Sequence, residues 1–285
     1  MNPNRSPSLL FFPLLLAGLA LASAGCSQEA AADGPAPDQV AREIRTLVTA
    51  LTPESSAALP VEKSDWFARR KQTLDRMRSA GRDHGLEALR LYQEGEIELP
   101  EVRSGLLDVA AHGAPRETEP VLVNLVTEFG DDLGLRTKAA QFLGETSPEK
   151  AIEVMHPILD GRYDGRTYPP EERLLDAWLT ASKKLGRDPV PLLASIATDI
   201  QRTQDVRHLA TRALGDFDTP QSRQALRTLI VESSGNGYIR VLATQSLQRI
   251  MPEPEFCEMV EAILDREADQ NFQIFLDNVL QETCR

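Results

Sequence analysis

From residue 60 onward, apolar side chains recur with two periods: three to four residues within a segment and about 33 between segments. An anchor column at Arg70, Arg103, Arg136, Leu174, Arg207, Arg240 and Gln273 sets the frame, with spacings of 33, 33, 38, 33, 33 and 33 residues. The position before most anchors is apolar (Val102, Leu135, Val206, Ile239, Phe272). So are those three after (Leu106, Ala139, Ala177, Ala210, Ala243, Leu276) and seven after (Met77, Ala110, Leu143, Ala181, Leu214, Leu247, Leu280). Positions −1, +3 and +7 fall on one face of an α-helix, and small residues at +3 let neighbouring helices approach closely. Period-two alternation is nowhere sustained, so no strands are expected.

Each segment then breaks and restarts. Pro120, Pro148, Pro189, Pro220 and Pro254 stand 12 to 17 residues after their anchors, and proline suits the first turn of a helix, where its missing N–H is no loss. A second apolar stripe follows, such as Leu122, Leu125, Val126 and Phe129. Gly144 and Gly215, at the expected ends of first helices, suit a left-handed C-cap. The unit is an antiparallel helix pair of about 33 residues, and a lone pair cannot cover its own apolar face, so the units must stack. Residues 40–51 place Val40, Ile44, Leu47, Val48 and Leu51 on one face, as an N-terminal cap would. At the far end a single helix carries Phe272, Phe275, Leu276, Val279 and Leu280. The expected fold is all-α: an α-solenoid of about six to seven helix pairs with a C-terminal capping helix.

At Asp132, Leu135-Arg136, Ala139-Ala140 and Leu143-Gly144, and again at Asp205, Val206-Arg207, Ala210 and Leu214-Gly215, the chain resembles the HEAT-repeat family. The resemblance spans residues 60–285. Leu174 departs from it by replacing the arginine, and the first unit lacks the small pair. It implies HEAT-like helix pairs whose anchor arginine pairs with the preceding aspartate and with carbonyls of the neighbouring turn. Because such repeats serve unrelated functions, it implies no activity.

The first 38 residues follow another pattern. A polar start with Arg5, an apolar run from Leu9 to Ala22, and Ser23-Ala24-Gly25 make an export signal. A run of about 14 apolar residues is shorter than the roughly 20 a spanning helix needs. Ending in Cys26, the segment resembles the lipobox of bacterial lipoproteins. That resemblance implies cleavage before Cys26, acylation of Cys26, and, through Ser27, sorting to the outer membrane; plain secretion is the alternative. Residues 27–38 are small and polar, carry Gly34, Pro35 and Pro37, and have no large apolar side chain, the composition of a flexible tether. The organisation expected is signal peptide 1–25, tether 26–38 and solenoid domain 39–285.

Charge narrows the partners. The formal charge of the chain is −12, and loss of the leader removes one base and no acid, giving −13. Nucleic-acid binding needs clustered Lys and Arg and is not expected. Residues 63–90 carry eight bases against four acids, whereas residues 251–285 carry nine acids against two bases. The body is therefore basic near the tether and acidic at its far end.

Candidate chemistry is sparse. Cys257 lies near the start of the last second helix and Cys284 near the end of the capping helix packed antiparallel to it, so in an exported chain they are a disulfide candidate; two buried thiols are the alternative. His84, His112, His156 and His208 fall in different units and are expected at helix ends or on the surface. No HExxH, CxxC, GxSxG, Walker or GxGxxG motif occurs, so no catalytic residue, metal site or cofactor is assigned. The irregular stretch 160–171 places Asp160, Asp164, Gly165 and Glu171 at EF-hand positions, but Arg162 and Arg166 would repel a calcium ion. Arg162, Tyr163, Arg166 and Tyr168 are instead candidate partner contacts, being residue types enriched at binding hot spots; a plain inter-repeat loop is the other reading.

The function expected is that of a non-enzymatic lipoprotein in the bacterial cell envelope. It would be held to a membrane, most simply the outer membrane facing the periplasm or the cell surface, by lipid on Cys26, and would present a scaffold to an envelope protein. An accessory or inhibitor subunit of an envelope enzyme, or a plain secreted binding protein, is the alternative.

Overall fold

The computed structural model describes residues 35–52, 60–128, 132–161, 168–233 and 236–284. Residues 1–35 and 36–285 form separate units, and the helical stack belongs to the second. Its elements, in order, are α1 (Pro37–Leu51), α2 (Pro60–Arg78), α3 (Arg82–Glu94), α4 (Pro100–Gly113), α5 (Pro115–Thr127), α6 (Leu133–Thr146) and α7 (Pro148–Asp160). Then come α8 (Glu171–Lys184), α9 (Val190–Thr198), α10 (Gln204–Leu214), α11 (Pro220–Glu232), α12 (Gly237–Ile250), α13 (Glu253–Leu264) and α14 (Gln270–Thr283). Among the described residues there is no strand, and no helix is long and apolar enough to cross a membrane.

The fold is an all-α, solenoid-like stack. Each even-numbered helix packs on the odd-numbered helix before it and on the even-numbered helix of the next unit, giving two layers. The predicted columns form the seam between layers: Val102, Leu106, Ala110, Leu135, Ala139, Leu143, Val206, Ala210, Leu214, Ile239, Ala243 and Leu247 are all buried. The tight partner of each anchor helix is the helix preceding it, so the packed pair is offset by half a unit from the one expected from the anchor column. α1 starts at Pro37 and buries Val40, Ile44, Leu47 and Leu51, while α14 closes the other end over Phe272, Leu276 and Leu280.

Two readings of the punctuation need correction. Pro120 lies inside α5, which starts five residues earlier at Pro115, directly after the single linking residue Ala114. Pro148 and Pro220 do open their helices, Pro254 sits in the first turn of α13, and Pro189 is the N-cap of α9. Gly144 and Gly215 are not left-handed caps: Gly144 lies within α6 and Gly215 has φ −73°. They are glycine because the next unit crosses there. A Cβ on Gly144 would stand 2.5 Å from the Ala177 carbonyl oxygen of α8, and one on Gly215 would stand 2.6 Å from the Ser246 Cβ of α12. Overpacking of that kind costs typically 1–3 kcal/mol.

The anchor arginines cap helices. Arg136 Nε donates to Leu125 O (3.1 Å), Arg207 Nε to Ala197 O (3.1 Å) and Arg240 Nε to Ile230 O (2.7 Å). Each carbonyl lies in the last turn of the preceding odd-numbered helix, where carbonyls lack an intrahelical partner and the helix dipole favours a cation. All three arginines are buried. Arg240 also pairs with Glu267 and lies over the Phe272 ring at 3.8 Å, tying α12 to the C-terminal cap. Asp132 N-caps its own helix, accepting from Gly134 N and Leu135 N at 2.6 and 3.1 Å.

Where the anchor is Leu174, another residue takes over the capping. Arg202, in the loop between α9 and α10, donates through Nη2 to Gly161 O (2.8 Å), the C-cap residue of α7. Its Nη1 pairs with Glu171, the first residue of α8, and its Nε with Asp199 Oδ2 at 3.3 Å. Arg202 thus pins both ends of the irregular 160–171 stretch.

Candidate partner-binding edge

Because neighbouring helices run antiparallel within two layers, the N-termini of the even-numbered helices share one edge of the stack with the C-termini of the odd-numbered ones. That edge carries a row of exposed apolar side chains. Leu99 is the N-cap of α4, Leu133 opens α6, Ile200 stands just ahead of α10, Val231 is next to last in α11, Tyr238 is second in α12 and Ile274 lies one turn into α14. They are between 42% and 75% exposed, and among the described large apolar residues of that exposure only Phe67 stands elsewhere, within α2. Single surface leucines need no explanation. Recurrence along the same edge at α4, α6, α10, α12 and α14 does, since packing requires no apolar residue there. With helix axes roughly 10 Å apart, the row extends over about 50 Å from α4 to α14.

The edge is also acidic. Glu96, Glu98, Glu128, Asp132 and Glu232 are exposed beside the apolar row. A groove of about 450 Å³ opens at Leu133 and Pro170 and runs between α6 and α8, lined further by Thr137, Lys138, Gln141, Arg173 and Asp176. It adjoins the loop singled out from the sequence. Of that loop's candidate contacts, Tyr168 is partly buried and packs on the core, while Arg162, Tyr163 and Arg166 lie outside the described residues, as does Cys26. Glu171, the last of the EF-hand-like positions, is 2% exposed and occupied by Arg202. Burial pushes its carboxyl above the ordinary glutamate range, against the pull of Arg202.

Sequence periodicity misses this row, although a signal for it exists. Each residue is an apolar side chain close to an anchor but off the −1, +3 and +7 face, at an offset that varies with loop length. Periodicity detects what is buried and has nothing to say of residues that loop length carries to an edge.

The histidines divide three ways. His84 lies at a helix end, in the first turn of α3, yet is 3% exposed, with Nε2 2.9 Å from Glu43 Oε2, joining α3 to α1. His156 stacks on Trp178 and His208 meets Tyr238 edge-on. His112, near the opposite edge of the stack, is the centre of a charged cluster drawn from four consecutive even-numbered helices, α2, α4, α6 and α8. Its Nδ1 lies 3.1 Å from Asp108 Oδ1 and its Nε2 3.4 Å from Glu145 Oε2. Arg78 holds the buried Asp108 through Nε (2.7 Å) and Nη2 (2.5 Å), and Lys184 donates to the Glu145 carbonyl.

Both ring nitrogens of His112 face carboxylates. Donation to Asp108 holds the imidazolium above its ordinary range, against burial. The imidazolium so favoured ties neighbouring helices together through both ring nitrogens. A raised folded pKa contributes stability in full below the ordinary value near 6.5, and that contribution is lost as pH rises through the folded value. Wild type minus His112→Gln should therefore show a stability difference at pH 6 that shrinks by pH 8.5. Its size should be under about 1 kcal/mol, because His112 and Glu145 are partly solvated. Urea unfolding at the two pH values checks it, and a difference growing with pH contradicts it.

At the C-terminus, Cys257 and Cys284 are joined by a disulfide with Cα atoms 5.9 Å apart, linking α13 to the C-cap of α14. Among the described residues, no group of three or more His, Cys, Asp or Glu side chains converges as metal ligands would. No protein-family model, curated protein or solved structure matches this chain.

Proposed function

We propose that this chain is an exported lipoprotein, anchored through acylated Cys26, whose HEAT-like solenoid is a non-enzymatic scaffold for another protein of the bacterial envelope. The observation that carries the scaffold reading is the apolar row along one edge, from Leu99 to Ile274. Recurrence in five of the six units from α4 to α14 suits an elongated partner, with the α6–α8 groove as one seat. The carboxylates among the row call for a partner whose apolar anchors are flanked by Lys and Arg. The Cys257–Cys284 bond suits an oxidising compartment, and several acyl chains on one cysteine would hold the protein stably at a bilayer. The outer membrane, facing the periplasm or the cell surface, is the location that Ser27 favours.

Site-specific photo-crosslinking in intact cells tests the scaffold. Probes at Leu133, Ile200 and Tyr238 should trap one common envelope protein, and Ile200→Asp with Tyr238→Asp should abolish capture from Leu133. Probes at Arg116 and Arg212, on the opposite edge, should not trap it. Equal capture from both edges, or none from the row, would sink the reading. Anchoring is tested separately: inhibition of signal peptidase II should leave a larger precursor.

A further inference from the structure

The first helix pair carries a feature that the partner-binding edge does not use. Arg42, Arg45, Thr46 and Thr49 stand at i, i+3, i+4 and i+7 on α1, so they form one helical face. It is the face opposite Val40, Ile44, Leu47 and Leu51, which are buried against the stack. Arg69 of α2 faces the same space. Together with Ala50 and Thr52 these residues line a groove of about 610 Å³. Among the described residues the lining holds three guanidinium groups and no carboxylate, in a chain of formal charge −12.

None of these three arginines takes part in an ion pair among the described residues, whereas Arg78 pairs with Asp108, Arg82 with Glu117, and Arg90 with Glu87 and Glu94. Arg42, Arg45 and Arg69 are exposed, and the groove lies on the face of α1 turned away from its buried stripe. Three such charges favour an anion arriving from outside the stack.

We propose that this groove seats the phosphate groups of anionic phospholipids, so that the solenoid docks on the bilayer through its N-terminal face. Guanidinium groups suit the occupant, since the planar fork matches phosphate oxygens two at a time. Chain length favours the same occupant. α1 begins eleven residues after Cys26, a span of at most about 40 Å when fully extended, so an acylated Cys26 keeps the groove within reach of headgroups. The orientation has a use: with the end of the stack on the membrane, the partner-binding edge projects away from the surface. This inference rests on the anchoring reading only for that local concentration, and the groove can be tested apart from it.

The mature protein, purified in detergent, is mixed with vesicles of phosphatidylcholine alone or with a third of phosphatidylglycerol, and α1 and α2 are followed by hydrogen exchange. Retention on pure phosphatidylcholine reports the acyl anchor. The groove is reported by extra protection of residues 42–52 on phosphatidylglycerol vesicles, lost in Arg42→Gln/Arg45→Gln/Arg69→Gln and in high salt. At about a factor of five per arginine near an anionic surface, the triple variant should bind these vesicles on the order of a hundredfold more weakly if anchoring fails, and should lose the extra protection if anchoring holds. Equal protection on both vesicle types, or protection undiminished in the triple variant, would overturn the proposal. Full protection from inorganic phosphate alone at millimolar concentration would also overturn it, by assigning the groove to a soluble anion.

Discussion

Replacing Arg202 with alanine should cost about 3 kcal/mol or more at pH 7, although the residue sits in a short loop. Its partner Glu171 has a side chain only 2% exposed, and breaking a buried pair leaves an uncompensated charge in a poorly solvated site. The variant also loses the cap on Gly161 O, so both ends of the 160–171 stretch come loose together. The pH dependence carries a signature. Burial already raises the Glu171 carboxyl above its ordinary range, and loss of Arg202 raises it further. The folded variant then takes up a proton that the unfolded chain releases, so its deficit should shrink as pH falls towards the ordinary glutamate value. Urea unfolding at pH 7 and pH 5 reads this directly. Replacing both partners together, as Arg202→Leu with Glu171→Leu, should cost less than Arg202→Ala alone. A single variant within about 0.5 kcal/mol of wild type would refute the account.

Loss of the Cys257–Cys284 bond should cost roughly 3 kcal/mol, and the cost should be local. The bond closes a loop across a sequence separation of 27, for which chain entropy gives about that figure. The terminal pair has little else: α13 buries only Phe256 and Val260, and α14 only Phe272, Leu276 and Leu280. A stack is stabilised by nearest-neighbour contacts, so its ends can come apart without its middle. In Cys257→Ser/Cys284→Ser, hydrogen exchange should rise steeply across residues 253–283 while α4 to α8 keep their protection. A single cooperative transition unchanged in midpoint would contradict this.

Much of the fold is legible because helical periodicity is a local property. Whether Leu106, Ala139 or Leu247 faces inward follows from 3.6 residues per turn, and a 33-residue recurrence leaves few options but stacking. Errors arise where two local signals compete. Pro120 and Pro115 can both open a helix, and the one-residue turn at Ala114 decides for Pro115. Gly144 and Gly215 read as caps because glycine near a helix end usually relieves backbone strain. Here it makes room for the Ala177 carbonyl and for Ser246 of the next unit, which no single helix can announce. His84 looks peripheral in its own segment because its partner Glu43 is 41 residues away.

The candidate edge is less legible still. The sequence draws attention to Arg162, Tyr163, Arg166 and Tyr168 through residue type, whereas Leu133, Ile200 and Tyr238 emerge only once the helices are stacked. Each is unremarkable in its own segment and acquires meaning from neighbours about one repeat away.

What the sequence by itself determined is the all-helical class, the repeat and the two capping ends, with Cys257 and Cys284 as a candidate pair, since each depends on periodicity or on position along one or two helices. The tertiary structure decided the rest: that Arg202 caps where Leu174 cannot, that the apolar outliers line up on one edge, and that Arg42, Arg45 and Arg69 face a common groove. Those relations join residues of different helices, and their geometry follows from how layers pack and how long each loop is, quantities that no local pattern encodes.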